Sequence, residues 1–464
     1  MMSEERIGAS FRDPSGFLFS RDGTLYRQVN LQYRRDYDHL MDSGLYDELL
    51  DRGLLIPHEE VAIDPLDTNQ AYKVIQPERI NFISYPYEWS FSQLRDAAFA
   101  TLNILGLAIK HRMVLKDASA YNVQFYHGRP LLIDTLSFEH LREGEPWDAY
   151  RQFCQHFLAP LCLMSYKDIR LSQLLRVFID GVPLDLASRL LPGKTYLQPS
   201  ILTHIHIHAK MQKRSAAVEI DQIGMRRRTM SHNARLGLID SLKRGIQRLQ
   251  WKSTETPWGD YYSTFSYSDR SIKHKEELVI EFLEECNPST VWDFGANVGR
   301  FSRLASGKNI TTVAFDVDAG AVEQNYLKTI EDDDKHLMPL VIDLTNPSSS
   351  LGWASKERLS LVERGPADAV FALALVHHLA IGNNLPLIDI AEFFSKIGAW
   401  LLVEYVPKQD PQVQRMLTSR RDIFTDYTQE GFEKAFKRFF IILSAQTIED
   451  SARRIYVMKR LEGG

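Results

Sequence analysis

Two regular patterns of apolar positions alternate along the second half of this 464-residue chain. Short apolar runs, rich in β-branched and aromatic residues, are separated by segments in which apolar residues return every three or four positions. The runs lie at 290–294, 310–315, 337–342, 367–375 and 400–405, and the helical segments include 321–330 and 385–397. Strands that alternate with helices in this way predict an α/β fold, with a parallel sheet covered by helices on both faces.

The pattern changes after Tyr405. A helical segment at 431–438 leads to an apolar run at 439–444, a polar turn and a second run at 454–458. Two strands joined by so short a connection pair antiparallel. We therefore expect a hairpin at the edge of the parallel sheet.

The first part of the chain predicts a separate α+β domain over 1–200. Apolar runs at 17–20 and 25–29 flank Arg21-Asp22-Gly23, and Asp-Gly between such runs is a hairpin signal. The segments that follow are helical at 33–50, strand-like at 71–75 and 80–85, helical at 91–110, apolar at 123–125 and 131–133, and helical again over much of 148–200.

A basic stretch separates these two parts and predicts a helical connector over 201–270. Between 209 and 253 there are eleven lysines and arginines but three acidic residues. Five apolar residues have the spacing of one helical face: Leu236, Ile239, Leu242, Ile246 and Leu249. The basic residues are expected either to form a solvated face or to contact an acidic partner.

Composition and charge exclude several classes of function. With 44% hydrophobic and 25% charged residues the chain is expected to fold, and a net charge of −5 gives no reason to expect nucleic acid or an anionic membrane as partner. Three cysteines without metal-binding spacing suit a reducing compartment. With no signal peptide and no membrane-spanning run visible, we expect a cytoplasmic protein; its oligomeric state stays open.

The most informative motif follows the run at 290–294. The sequence Asp293-Phe294-Gly295-Ala296-Asn297-Val298-Gly299 places two glycines four residues apart, before a helical segment. Glycine lets a ligand lie against bare backbone, and a helix start offers unpaired N–H groups. Asp316 ends the next run, where nucleoside-binding sheets place the carboxylate that binds ribose hydroxyls. The pair predicts a nucleoside site.

From 271 to 464 the strand order, this turn and the final hairpin resemble the class I S-adenosylmethionine-dependent methyltransferases. The resemblance implies that the cofactor is S-adenosylmethionine. It implies that Asp293, Gly295, Asn297 and Gly299 line its methionine part, that Asp316 holds the ribose and that Asp343 reaches the adenine amino group. The alternative is a dinucleotide site, which the absence of Gly-x-Gly-x-x-Gly disfavours.

Methyl transfer needs a nucleophile held in line with an activated methyl group, and a base assists a hydroxyl acceptor. His377 and His378 follow the fourth parallel run, so one of them is a candidate base; the alternative is that they only shape the pocket. Glu404 and Tyr405 rank lower. The stretch 258–262, with Lys273, is a candidate cover over the cofactor.

Parts of this region, from 341–348 to 404–407, also resemble the rhizobial nodulation host-specificity methyltransferases. We therefore expect a saccharide or small-metabolite oxygen as methyl acceptor. Sequence alone does not identify that acceptor. No helix expected from the sequence spans a membrane, and nucleic acid is not an expected partner.

The N-terminal part resembles protein-kinase-like and aminoglycoside-kinase-like phosphotransferases. Asp117 would be the catalytic base, and Asn122 and Asp134 would be the ligands of a magnesium ion carrying ATP. Arg27 lies where such kinases place a strand lysine, and Glu48 where they place its helix partner. There is no glycine-rich phosphate loop before Arg27, so we expect a degenerate domain that positions a substrate or partner.

Three readings of function follow. The first is an S-adenosylmethionine-dependent methyltransferase with no bound metal; the second is a bifunctional kinase and methyltransferase acting on a glycan; the third is a non-catalytic binding scaffold. His204, His206 and His208 would share one face of a strand and could bind a metal there, whereas on a helix only His204 and His208 align. No cysteine or carboxylate nearby completes such a site.

Overall fold

A computed structural model describes residues 4–217, 229–251, 268–418 and 421–462. The contacts within the chain divide it into two compact units. The first unit comprises Met1–Lys252 together with Leu351–Arg358, and the second comprises Ser253–Ser350 together with Leu359–Gly464. The helices His208–Ala217 and His232–Gln247 of the predicted connector therefore fall in the first unit.

A five-stranded antiparallel sheet begins the first unit, in the order β1-β2-β3-β5-β4. The predicted hairpin is confirmed, because β2 pairs with β3 in register from Gly16 opposite Val29 to Arg21 opposite Thr24. Two small antiparallel pairs follow, β6 with β9 and β7 with β8. The strands are β1 (Glu4–Arg6), β2 (Gly16–Arg21), β3 (Thr24–Asn30), β4 (His58–Glu60), β5 (Ala71–Pro77), β6 (Met113–Leu115), β7 (Val123–Tyr126), β8 (Arg129–Leu132) and β9 (Phe138–His140).

The helices of the first unit are mostly short, with one long central helix that matches the predicted range. They are α1 (Arg34–Asp42), α2 (Leu45–Asp51), α3 (Phe91–Lys110), α4 (Tyr150–Phe153), α5 (Ala159–Tyr166), α6 (Leu174–Val177), α7 (Leu184–Leu190), α8 (Pro199–Ile201), α9 (His208–Ala217) and α10 (His232–Gln247). Helix α3 begins at a capping box, in which the Ser90 hydroxyl accepts from the Gln93 N–H and the Gln93 side chain accepts from the Ser90 N–H. Fourteen of its twenty residues are buried, so it is the core helix of this unit.

Two predictions for the first unit are wrong. The helical segment at 33–50 is two helices, because Gly44 has a φ of +80°, a backbone conformation that ends α1 and begins α2. The run at 80–85 forms no strand. There the Ser84 N–H donates to the Gln124 side chain and the Tyr85 N–H to that of Glu88, so side chains satisfy backbone groups that a ladder would otherwise use.

Helix α10 packs into the first unit through most of its predicted apolar face. Ile239, Leu242, Ile246 and the following Leu249 are buried, whereas Leu236 is exposed. The guanidinium of Arg235 is buried too, and it donates to the carbonyl oxygens of Arg142 and Glu145. At least this basic residue is therefore part of the interior of the unit and does not lie on a solvated face.

A seven-stranded sheet forms the second unit, in the order β12-β11-β10-β13-β14-β16-β15. The first five strands of that order are parallel, and β16 joins antiparallel to both β14 and β15. The predicted parallel sheet with an antiparallel edge hairpin is confirmed. The strands are β10 (Thr290–Phe294), β11 (Thr311–Asp316), β12 (Leu337–Val341), β13 (Ala367–Ala372), β14 (Gly398–Tyr405), β15 (Phe440–Thr447) and β16 (Arg454–Arg460).

Helices separate these strands in the chain, and their apolar sides face the sheet. They are α11 (Asp269–Cys286), α12 (Ser302–Ser306), α13 (Ala319–Glu331), α14 (Leu387–Ile397), α15 (Pro411–Leu417) and α16 (Gln429–Phe436). Phe282 of α11, for example, packs edge-on against Phe371 of β13. No helix in the described part of the chain is both long and apolar enough to cross a bilayer.

Four buried charged residues hold separate parts of the second unit together. Glu404, at the end of β14, is fully buried; its carboxylate accepts from Lys275 of α11 at 2.6 Å and lies 3.5 Å from the Arg453 guanidinium. Arg453, from the turn of the edge hairpin, also donates two bonds to the Asp410 carboxylate, at 2.7 and 3.0 Å. We call Lys275, Glu404, Arg453 and Asp410 the buried ion network. It connects a helix, a central strand, a loop and the hairpin.

Removing Arg453 should destabilise the second unit strongly. Arg453→Ala leaves the buried Asp410 carboxylate without its cation and Glu404 with Lys275 alone, and breaking a buried pair in this way typically costs about 3–5 kcal/mol. The measurement is the unfolding transition of this unit in urea. Arg270→Ala is the matched control, because that exposed arginine pairs with the exposed Glu449, and it should change little. Equal effects of the two substitutions would contradict a structural role for the network.

Candidate functional site

A cavity of about 250 Å³ opens at the carboxyl ends of the parallel strands of the second unit. Residues that follow β10, β11, β12 and β13 line it, which is where open α/β sheets bind their ligands. Of the predicted cofactor residues, Asp293, Gly295, Asn297, Asp316 and Asp343 all lie on this lining. The sequence motif and the acid one strand later are thus brought together.

Gly299, the remaining predicted residue, is not part of the lining. Its φ is +78°, and a Cβ built there would overlap the side-chain amide of Asn325 and the Arg303 guanidinium. Glycine is therefore required because helix α13 lies close to the turn. Direct contact of this glycine with a ligand stays a prediction, and the residue shapes the turn that lines the cavity.

The turn between β10 and α12 presents bare backbone to the cavity. Gly295 has a φ of +75°, and its N–H and that of Ala296 donate to the Phe315 carbonyl oxygen of the next strand. Asn297 also has a positive φ, and its side-chain oxygen accepts from the Val298 N–H. Local hydrogen bonds of this kind suit asparagine to a left-handed backbone.

Asp316 is held by the same turn. One of its oxygens accepts from the Asn297 N–H and the other from the Asp318 N–H, both at 2.8 Å. Burial raises the pKa of this carboxyl to about 6, while the two backbone N–H groups oppose the rise. The carboxylate is thus charged at neutral pH and fixed in direction, at the end of β11.

Asp293 lies deeper in the cavity wall. It is 2% exposed and accepts from the Ser302 hydroxyl at 2.6 Å. Burial raises its pKa to about 7, although Ser302 and the nearby Lys275 both favour the charged form. Asp343 has a more open position, where one oxygen accepts from both the N–H and the hydroxyl of Thr345.

Lys275 is a lining residue that the sequence did not reveal. Its ammonium group is held by Glu404 of the buried ion network and lies 4.6 Å from the centre of the Phe301 ring. Burial lowers the pKa of Lys275, and Glu404 opposes that effect. Nothing in the sequence marks a lysine on a helix that precedes the motif by eighteen residues, because the contact depends on tertiary packing.

The two candidate bases have different positions. His378 lies on the cavity lining, at the start of a single π-helical turn, His378–Gly382. His377 is fully buried behind it, and neither of its ring nitrogens has a hydrogen-bond partner among the described residues. Burial lowers the pKa of His378 to about 4 and holds that of His377 well below its usual range. Both imidazoles are neutral at pH 7.

The lower-ranked candidates do not line this cavity. Glu404 belongs to the buried ion network, and Tyr405 is buried against Tyr427, with ring centres 5.6 Å apart. The stretch 258–262, predicted as a cover, lies outside the described residues. Its role stays a prediction.

A second cavity, of about 530 Å³, lies in the first unit. It brings together Asp117, Asn122 and Asp134, as the kinase resemblance predicted. Asp134 Oδ2 accepts from the Ser137 hydroxyl at 2.7 Å, and that hydroxyl accepts from the Asn122 amide at 3.3 Å. Burial raises the pKa of Asp117. We call this cavity the N-terminal cleft.

The predicted partner of Arg27 is wrong. Glu48 pairs with Arg52 at 2.7 Å and with His111 at 2.8 Å, on another part of the unit. Arg27 instead donates to Asp134 Oδ1 at 2.7 Å and lies 3.6 Å from Asp13. The buried guanidinium thus contacts the carboxylate that a magnesium ion would use.

The histidines at 204–208 are hydrogen-bonded within the protein and lie in helical structure. His204 contacts the Tyr150 and Ser241 hydroxyls, and His206 contacts those of Ser188 and Thr195. The residues 202–207 form a π-helical turn rather than a strand. No group of histidine, cysteine and acidic side chains suited to a metal ion occurs among the residues that the structure describes.

One comparison with known proteins covers nearly the whole chain. The nodulation protein NoeA of Rhizobium meliloti (strain 1021) is 32% identical over 462 residues, which is 98% of this chain and 96% of that protein. This likeness confirms the resemblance to rhizobial nodulation proteins. No family model matches the chain.

Solved structures match less than half of the chain. They include the bifunctional kinase-methyltransferase WbdD (14% identity, 43% of this chain, 42% of that one, TM-score 0.30) and the N-methyltransferase NodS from Bradyrhizobium japonicum WM9 (11%, 42%, 99%, 0.32). Another is the magnesium protoporphyrin IX methyltransferase ChlM from Synechocystis PCC 6803 (17%, 44%, 93%, 0.30). The match to WbdD spans less than half of that protein's length.

Gly299→Ala should destabilise the second unit, because a side chain at positive φ is strained and here also meets Asn325. The backbone term alone costs about 1–3 kcal/mol. Urea unfolding of Gly299→Ala, Asn325→Ala and the double variant separates the two causes. The double variant should be more stable than the sum of the single effects predicts. Simple additivity would show that the close approach to Asn325 does not matter.

Proposed function

The chain belongs to the family of the nodulation protein NoeA, and from the cavity of its second unit we propose that it is an S-adenosylmethionine-dependent methyltransferase. One observation carries the proposal. A buried carboxylate, Asp316, is fixed beside the bare backbone of the Gly295 turn, at the carboxyl edge of a sheet in the order β12-β11-β10-β13-β14-β16-β15. A ribose next to a narrow backbone-lined crevice fits that arrangement.

The residues present suit each part of such a cofactor. Asp316 would accept from the ribose hydroxyls and Asp343 from the adenine amino group. The Gly295 turn would lie along the methionine part, with Asp293 nearby, and Lys275 supplies a cation for its carboxylate. When bound, the cofactor supplies a methyl group already activated by the sulfonium charge, so the protein's main task is to orient the acceptor.

His378 is the proposed base for a hydroxyl acceptor. It lines the cavity beyond the end of β13, and its lowered pKa keeps the imidazole neutral and therefore able to accept a proton at pH 7. A weakly basic imidazole also means that the assistance is modest. His377, which is buried behind His378, is proposed to position it by packing, with the two ring centres 4.1 Å apart.

The acceptor is proposed to be an oxygen of a saccharide or small metabolite. The relative's name places that protein in nodulation and says nothing of its substrate. The bifunctional alternative would need Asp134 to bind magnesium, and the Arg27 ion pair disfavours it. The alternative of a non-catalytic scaffold would require that the cavity does not bind S-adenosylmethionine. Titration calorimetry with S-adenosylmethionine decides that point, since a protein without binding would be no methyltransferase.

The affinity for S-adenosylhomocysteine should fall as the pH is lowered through 6. The pKa of Asp316 is raised to about 6, so below this pH the carboxyl is protonated and loses its charge-assisted bonds to the ribose. Calorimetry across this range measures the effect. In Asp316→Asn the affinity should be lower at neutral pH and the step at 6 should vanish, while a step from Asp293 persists, moved to lower pH because the Asp316 charge no longer raises the pKa of Asp293. An unchanged step at 6 would contradict the assignment.

His378→Ala should slow methyl transfer and leave cofactor affinity within about twofold. A general base typically contributes about 10²–10⁴-fold, and the low pKa of His378 favours the lower end. The measurements are single-turnover transfer of labelled methyl to an acceptor found by screening cell extracts, and calorimetry with S-adenosylhomocysteine. His336→Ala, a histidine outside the cavity lining, is the control. Unchanged turnover in His378→Ala would contradict the assignment of His378 as the base.

A further inference from the structure

The N-terminal cleft has no excess of positive charge for a polyphosphate. Its lining includes the acids Asp13, Asp117, Asp134, Asp180 and Glu357, against the bases Arg12, Arg27, Lys116 and Arg358. Three of the bases are already neutralised inside the cleft: Arg27 by Asp134, Lys116 by Asp13 at 3.4 Å, and Arg12 by Glu357 at 2.7 Å. A nucleotide triphosphate would have to break these pairs or bring its own cation.

A divalent cation that entered the N-terminal cleft would find both oxygens of the Asp134 carboxylate already hydrogen-bonded. Asp134 Oδ1 accepts from the Arg27 guanidinium and from the Leu136 N–H, and Oδ2 accepts from the Ser137 hydroxyl. Arg27 is 6% exposed and is also near Asp13, so it is fixed from two sides. In this arrangement a fixed guanidinium supplies the positive charge beside Asp134. The cleft therefore does not fit magnesium-bound ATP.

The same cleft contains buried nitrogens that lack partners within the described parts of the chain. They are Arg27 Nε, His156 Nδ1 and Arg358 Nε, and all three residues line the cleft. His156 is 1% exposed, and burial lowers its pKa to about 3, so its ring is neutral. Buried polar groups are normally hydrogen-bonded, and three such atoms around one cavity indicate a ligand with hydrogen-bonding groups of its own.

Acceptor oxygens complement these nitrogens on the cleft wall. Asp117 accepts from the Ser119 N–H at 2.9 Å and from the side-chain amides of Asn122 and Gln152, which leaves part of the acceptor capacity of its two oxygens. A ligand that suits the wall must both donate and accept at many points without carrying a large charge. Vicinal hydroxyl groups on a sugar ring have that property, because each one donates once and accepts as well.

We propose that the N-terminal cleft is a saccharide-binding site that works without a metal ion. Its volume of about 530 Å³ is within the usual range of small-ligand sites. The inference concerns the first unit alone and goes beyond the proposed methyl transfer. It makes the kinase-like domain a binding module in which Arg27 takes the place of the metal.

The test uses the full-length protein, fluorescently labelled, on an array of immobilised mono- to hexasaccharides, in buffer with EDTA. We expect retention on a subset of sugars and no gain on adding magnesium. Asp117→Asn and Asn122→Ala should each weaken retention about tenfold or more, because each removes an acceptor oxygen from the wall of the cleft. Asp51→Asn, an exposed aspartate outside the cleft, should have no effect.

Several outcomes would overturn the proposal. They are the absence of retention on every sugar, retention that survives both cleft substitutions, and binding of ATP that requires magnesium and competes with the sugar. Thermal unfolding of each variant establishes that it is folded, and with two independent substitutions a single misfolded variant leaves the test intact. Calorimetry with S-adenosylhomocysteine on the same samples reports the cavity of the second unit separately, so the two proposals fail or survive independently.

Discussion

The buried ion network is the constraint on which the second unit depends. Four charged groups lose their hydration there, which costs several kcal/mol per ion unless geometry and hydrogen bonds compensate. Arg453 and Asp410 meet that requirement with two parallel hydrogen bonds, and Glu404 lies between two cations. A hydrophobic cluster could have held the same segments together. The network does something more, because it fixes the ammonium group of Lys275, a residue that lines the cavity.

Much of the fold of the second unit could be predicted because the sequence signals for its strands, helices and hairpin are local. Alternation of strand and helix periods gave all five parallel strands within a few residues, and the short turn before Arg454 predicted the edge hairpin. The first unit was harder. The run at 80–85 has an apolar pattern but its N–H groups bond to the side chains of Gln124 and Glu88, and no periodicity reports a tertiary interaction of that kind.

The residues of the candidate sites also divide into those with a local sequence signal and those whose position depends on tertiary packing. The position of Asp293, Gly295, Asn297 and Asp316 on one cavity could be predicted because a positive φ and an acid at a strand end leave marks in the sequence. The choice between His377 and His378 could not be made, because β13 has ended before them and the chain enters a π-helical turn, where neither period applies. The pairing of Arg27 with Asp134 instead of Glu48 was also hidden, since it depends on side-chain direction.

Because Asp293 is buried, its carboxyl group can hold a proton at neutral pH and release it when a ligand binds. With its pKa raised to about 7, this carboxyl is partly protonated in a neutral solution, whereas an aspartate in water would be ionised. A positively charged guest nearby favours the ionised form, so its arrival expels hydrogen ions into the buffer. The heat released on binding would then vary with the ionisation enthalpy of the buffer, and the number of protons exchanged could be counted from that variation.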